Sequence, residues 1–157
     1  MSFDAVDLRP GEQVAELPDE HDATVVFIGR IQTPWATRSE CPRQGDPENG
    51  PDCTVLLDPR WRPALEGIVA GDRLQLLYWM HRARRDLVVQ APRGRDETMG
   101  TFALRSPNRP NPIASSSVRL LAIDGPRLTV RGLDCVSGTP LLDIKPERRD
   151  HPSKGDG

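Results

Sequence analysis

Three prolines crowd the stretch RSPNRPNPIASSS, residues 105–117, and they restrict the fold more than any other feature of the chain. Pro107, Pro110 and Pro112 lack a backbone N–H, so the segment cannot run through a helix interior or a central strand. Each also biases the preceding residue, Ser106, Arg109 or Asn111, toward extended geometry. The stretch is therefore predicted to be a stiff, extended connector between two strands. Well-placed prolines prepay part of the ordering entropy, roughly 0.4–1 kcal/mol each. Such a connector can preorganise Arg105, Ser106, Asn108, Arg109 and Asn111 toward a ligand. The same side chains can equally tie down their own loop.

The segments around it read as short strands. TVVFIGRIQT (24–33), CTVLLD (53–58), DRLQLLYWMH (72–81), LVVQA (87–91), MGTFAL (99–104), SVRLLAID (117–124), LTVRGLD (128–134) and LLDIK (141–145) are β-branched or alternate in polarity. The GPR between the sixth and seventh signals a hairpin. PRWRPALEGI holds a helical turn before Gly67, and residues 34–52, with four prolines and two glycines, form a long loop. Sixteen prolines and 13 glycines suit a loop-rich β protein. The predicted fold is all-β, a single antiparallel β-barrel or sandwich with long loops and little helix. Its predicted limits are an acidic arm at 1–23, a barrel domain at 24–146 and a tail at 147–157.

No apolar run is long enough to span a membrane, and MSFDAVDLRPGEQ lacks the pattern of a secretory signal. The expected compartment is the cytoplasm. Cys41, Cys53 and Cys135 form no CxxC, so no metal site is expected. Charge is uneven: residues 1–23 hold seven acids and one base, whereas residues 60–119 hold eleven arginines and five acids. The middle of the chain can thus meet an anionic partner or simply present a solvated basic face. There is no G-x-G-x-x-G after a strand, so no Rossmann-type site is signalled.

Four ordered motifs resemble one family. MGTFALRSPNRPNPIASSSVRL is similar to the signature of the TsaA-like β-barrel proteins, also called the tRNA methyltransferase O family. IGRIQTPW with CPRQG, LEGIVAGDRLQLLYWMH, and LDCVSGTPLLDIKP agree with it in order and spacing, over about residues 25–146. The resemblance implies an antiparallel barrel, often homodimeric, that binds S-adenosylmethionine and N6-methylates threonylcarbamoyladenosine at position 37 of tRNA, in the anticodon loop. It implies cofactor contacts at Pro42, Arg43 and Gln44, at His81 and Arg82, at Arg105, near Ser115, and at Ser137, Gly138, Thr139 and Pro140. Arg105, Asn108 and Arg109 are expected to position substrate and cofactor, and Asp143 or Lys145 to tune the site. Asp134 or Asp143 is a candidate to face the amino group or sulfonium. Two departures stand out: Ala114 replaces a common glycine, and Glu147 replaces a tyrosine after the last motif. The alternatives are a different small-molecule or RNA acceptor, or a non-catalytic sensor or RNA-binding module.

Overall fold

A computed structural model describes residues 7–147. Nine strands follow one another: β1 (Gln13–Val14), β2 (Gly29–Gln32), β3 (Asp52–Leu57), β4 (Arg73–Trp79), β5 (Leu87–Gln90), β6 (Met99–Gly100), β7 (Ile113–Asp124), β8 (Arg127–Arg131) and β9 (Thr139–Pro146). Six of them close a barrel in the order β2-β3-β8-β7-β4-β9, with β9 pairing back onto β2. Every pairing in it is antiparallel. The predicted all-β single barrel is therefore the observed architecture.

The barrel interior is built by alternation. Along β4, Leu74, Leu76 and Tyr78 point inward and are fully buried. Cys53, Val55 and Leu57 do the same from β3, Leu128 and Val130 from β8, and Val118 and Leu120 from β7. Ile31 and Leu141 complete the packing. Burying each such aliphatic side chain contributes roughly 1.5–3 kcal/mol relative to leaving it in water. The β7–β8 hairpin turns on Gly125 and Pro126, with Gly125 at φ 58°. Glycine with positive φ at the first central position is the mark of a type II′ turn, and the fixed negative φ of proline at the second excludes type I′.

Three segments depart from the sequence expectation. Only Gly29–Gln32 of the predicted 24–33 strand pairs, and Val25 and Val26 lie outside the barrel, 55% and 65% exposed. Only Met99–Gly100 of the 99–104 segment is strand, and Thr101–Ala103 turns as a 3-10 helix. Strand β7 begins four residues earlier than expected, so Ala114 and the three serines belong to it and pair with β4. The helical turn expected after Asp58 is a 3-10 segment, Pro59–Leu65, whose first turn Asp58 caps by accepting from the Arg60 N–H.

A second, three-stranded sheet, β1-β5-β6, stands beside the barrel. Residues of the acidic arm dock on it. Arg9 donates to the Ala91 carbonyl, and Glu12 accepts from the Ala91 N–H. Residues 1–6 of the predicted arm and 148–157 of the predicted tail lie outside the described residues.

Candidate ligand cleft at the barrel mouth

One end of the barrel opens into a cleft of about 1000 Å³. Three chain segments wall it: the loop after β2, the turn after β4, and the proline-rich connector leading into β7. The β8–β9 connection supplies the floor through Asp134, Cys135 and Val136.

The loop after β2 is fixed at several points. Thr33 Oγ1 donates to the Cys135 carbonyl at 2.7 Å, and the Ser137 N–H donates to the Trp35 carbonyl at 2.7 Å. Glu40 accepts from the N–H groups of Ala36 and Thr37, closing the 3-10 turn Arg38–Glu40. Beyond it, Asp46 accepts from the N–H groups of Glu48 and Asn49, an Asx turn. Glu48 then binds Arg73 of β4 and Arg119 of β7 on the barrel wall. Between these anchors Gly45 lies directly against the Gly132 backbone, where an added Cβ would stand 1.8 Å from the Gly132 oxygen. No side chain fits that contact, so glycine is required there. Pro42, Arg43 and Gln44 therefore reach the cleft from a loop held on both sides.

The proline-rich connector is pinned by its own side chains. Arg109 Nη1 donates to the carbonyls of Leu104 and Ser106. Asn108 Oδ1 accepts from the Arg84 N–H, and the Asn108 carbonyl accepts from buried Gln90. Arg85 donates to the Pro110 carbonyl and to Asn111, and its guanidinium lies 5.4 Å from the Trp79 ring centroid. Asn108, Arg109 and Asn111 thus brace the loop, while Arg105 lies open on the cleft wall with a 3.5 Å bond to the Ser115 carbonyl.

At the base of the cleft Tyr78, Ser116 and Asp134 form one hydrogen-bonded group. Tyr78 Oη donates to Asp134 Oδ1 at 2.7 Å, and it lies 2.6 Å from Ser116 Oγ, whose hydroxyl can donate to it. Burial pushes the Tyr78 phenol well above its ordinary range, and the Asp134 charge pushes it further. The phenol therefore keeps its proton and stays a donor to the carboxylate. Among the described residues Asp134 is the one carboxylate lining this cleft, against five arginines, Arg38, Arg43, Arg82, Arg105 and Arg109.

His81 follows β4 at the opposite wall. Burial lowers its pKa below the ordinary 6.5, and neighbouring Arg82 and Arg30 lower it further. A neutral imbalance of this kind has a definite pH signature. Between the folded value and 6.5 the unfolded chain holds a proton that the folded chain refuses, so stability falls as pH drops through that window. Urea unfolding on going from neutral pH to about pH 5.5 is expected to show that decline, with His81→Gln flattening it; an identical slope in the variant would contradict the assignment. The thiols behave differently. Burial pushes Cys135 up to about 12 and Cys53 to about 11, and burial with the Asp134 and Glu40 charges raises Cys41. All three are poor nucleophiles at neutral pH.

Of the residues singled out in the sequence, Pro42, Arg43, Gln44, His81, Arg82, Arg105, Arg109, Ser115 and Thr139 line the cleft. Thr139 does so from a fully buried position, its hydroxyl donating to the Val136 carbonyl. Asn108, Ser137, Gly138, Pro140 and Asp143 do not line it. Ser137 Oγ accepts from the Thr33 N–H and so braces the loop after β2. Asp143 pairs with Lys145 at 2.8 Å on β9, and Lys145 borders an adjoining groove that meets the cleft at Arg105, Ser115 and Ser117. Tyr78, Ser116 and Phe102 were not anticipated. Tyr78 ends an apolar alternation and reads as core; only the polar tip of a tyrosine could have signalled a second role. Among the described residues no group of three His, Cys, Asp or Glu side chains is placed to hold a metal ion, and no helix is long and apolar enough to cross a membrane.

Comparison with known proteins agrees with this architecture. A probable S-adenosyl-L-methionine-binding protein, VirR, from Rhizobium radiobacter is 50% identical over 141 residues, covering 90% of this chain and 80% of the relative. A putative S-adenosylmethionine-dependent methyltransferase, RcsF, from Pseudomonas aeruginosa is 35% identical over 127 residues, covering 76% of this chain and 52% of the relative. The crystal structure of TrmO from Pseudomonas aeruginosa superposes with a TM-score of 0.68 at 31% identity, covering 87% of this chain and 61% of that one. The chain thus spans about three-fifths of the length of that solved structure. Residues 30–150 match the tRNA-methyltransferase O N-terminal domain, and the chain belongs to that family.

Proposed function

We propose that this protein binds S-adenosylmethionine in the barrel-mouth cleft and transfers its methyl group to N6 of threonylcarbamoyladenosine at position 37 of tRNA. The observation that carries the reading is the charge layout of the cleft, arginines on the walls and the carboxylate of Asp134 at the base. S-adenosylmethionine has the complementary layout: a carboxylate, an ammonium and a sulfonium on one flexible arm, with an adenosine beyond. Family membership and the names of the relatives support the same cofactor. A cleft of about 1000 Å³ has room for it, since small-molecule sites run from roughly 300 to 1,000 Å³.

In this reading Arg105 pairs with the cofactor carboxylate, and Arg43 or Arg82 assists. Pro42 and Gln44 meet the adenine edge, His81, Ser115 and Thr139 border the nucleoside, and Ser137, Gly138 and Pro140 shape the wall from behind. Asp134, aimed by Tyr78, faces the cationic arm. Asn108 and Arg109 hold the connector that carries Arg105. Lys145, paired with Asp143, acts from the adjoining groove, on the acceptor side. The cofactor supplies an electrophilic methyl group on sulfonium sulfur. The protein's task is then alignment of the acceptor nitrogen in line with that bond. Because the acceptor N6 already bears a carbonyl substituent, it gives up its proton more readily than a plain amine, so a weak base suffices. An unpaired anticodon loop presents the base without duplex opening. Action in the cytoplasm as a homodimer belongs to the same proposal.

Two measurements test it. Arg105→Ala is expected to weaken S-adenosylmethionine binding by about tenfold or more in calorimetry, the scale of one charge-assisted pair; unchanged affinity would remove Arg105 from the pocket. Incubation with hypomodified tRNA, followed by nucleoside mass spectrometry, should show one added methyl on threonylcarbamoyladenosine. Binding without that product would leave a cofactor-binding protein with another acceptor.

A further inference from the structure

The most exposed large hydrophobic side chain among the described residues is Phe102, at 82%. It is presented by a built element. The 3-10 turn Thr101–Ala103 that carries it is locked from below by Thr101, itself 3% exposed. Thr101 Oγ1 donates to the Leu87 carbonyl at 2.7 Å and accepts from Gln90 Nε2 at 2.9 Å. The same Gln90 amide donates to the Asn108 carbonyl of the proline-rich connector. One buried glutamine therefore fixes the turn and the connector together, and no described residue covers Phe102.

Its position is as informative as its exposure. Phe102 lines the cleft, three residues before Arg105, which lines it too. The side chains of Arg43 and Arg82, which line the same cleft, make no hydrogen bond or ion pair with any described residue. A rigid aromatic face among free guanidinium groups matches an unstacked nucleobase flanked by phosphates. Base-on-aromatic stacking needs only the π-face, and whichever of Arg43 and Arg82 does not assist the cofactor carboxylate meets the backbone charge. An apolar peptide would use the phenyl ring but leave the arginines uncompensated. The charge complementarity thus favours a single-stranded nucleic acid.

We propose that Phe102 is the platform on which the acceptor base, or its immediate neighbour, stacks at the mouth of the cleft. It is a positioning residue, and the assignment rests on the methyl-transfer reading above. The test uses the full chain with a short RNA stem-loop bearing a fluorescent adenine analogue at an unpaired position. Cofactor binding is measured separately with S-adenosylhomocysteine. The wild-type protein should bind both. Phe102→Leu should weaken RNA binding roughly tenfold or more, the loss of one stack. Phe102→Trp should restore it together with the fluorescence change that reports stacking, and cofactor affinity should stay the same in both variants. Equal RNA affinity in Phe102→Leu, or failure of tryptophan to rescue, overturns the platform. So does a change of Phe102→Leu from dimer to monomer, because the ring would then be a subunit contact. Wild-type binding of cofactor without RNA also overturns it while leaving the cofactor assignment standing. RNA stacking without cofactor binding sinks the methyl-transfer reading and leaves Phe102 as part of an RNA-binding module.

Discussion

Gly45→Ala is expected to lower stability by about 3 kcal/mol, near the upper end of overpacking penalties. The added methyl would stand 1.8 Å from the Gly132 oxygen and 2.5 Å from its carbonyl carbon. Both are backbone atoms, so no rotamer change relieves the clash. Neither backbone is free to retreat. Gly132 follows β8, which pairs with β3 and β7, and an added Cβ at Gly132 would itself lie 2.7 Å from the Ser117 oxygen. On the other side, the loop is tethered at Glu48 to Arg73 and Arg119. At roughly 2–4 °C per kcal/mol for a chain of this size, the melting temperature should fall by about 6–12 °C. Cofactor affinity should fall as well, because Pro42, Arg43 and Gln44 move with Gly45. Melting within about 1 °C of wild type would show that the loop is not seated on β8.

The second large effect is expected at the base of the cleft. Asp134→Asn keeps the shape and the acceptor for Tyr78 Oη but removes the charge. A hydrogen bond to a charged partner is worth about 1.5–3 kcal/mol, so S-adenosylmethionine affinity should drop about 10- to 150-fold while stability changes little. S-adenosylhomocysteine sharpens the result, since it has the ammonium but not the sulfonium. Equal losses for the two ligands place Asp134 beside the ammonium, and a greater loss for S-adenosylmethionine places it beside sulfur. No loss for either would remove it from the site. Tyr78→Phe should give a weaker version of the same phenotype, because the carboxylate remains but loses its orienting donor.

The barrel was legible because its strands obey the simplest rule available, alternation. Leu74, Leu76 and Tyr78 inward against Gln75 outward is readable without coordinates. The failures share a cause. Thr24–Phe27 and Phe102–Leu104 are apolar, and apolarity at the sequence level does not say whether a partner strand is present; here neither segment has one. Ser115, Ser116 and Ser117 erred the other way. They look like connector residues, yet Ser115 and Ser116 satisfy their hydroxyls sideways, against Gln75 and Tyr78, and their backbones complete the β4–β7 ladder.

For the cleft, the lining positions Arg43, Arg82 and Arg105 and the 42–44 loop could be read from residue type and resemblance. The Tyr78–Asp134 pair could not, since 56 residues separate two side chains that only barrel closure brings together. Asn108 and Asn111 show the converse. Their side-chain oxygens looked available in the sequence and are spent accepting from Arg84 and Arg85 in the fold.

Strand β9 pairs with β2 on one side and β4 on the other, so the last barrel strand in chain order seals the seam opened by the first. During translation, β2, β3 and β4 leave the ribosome long before their partner exists. Until Thr139–Pro146 emerges, two sheet edges and the aliphatic lining they should enclose stay accessible to other nascent chains. Such a topology folds slowly for its size, because its decisive pairing is also its most distant. Emergence of Thr139–Pro146, more than synthesis of any earlier strand, is the moment at which the barrel becomes safe from self-association.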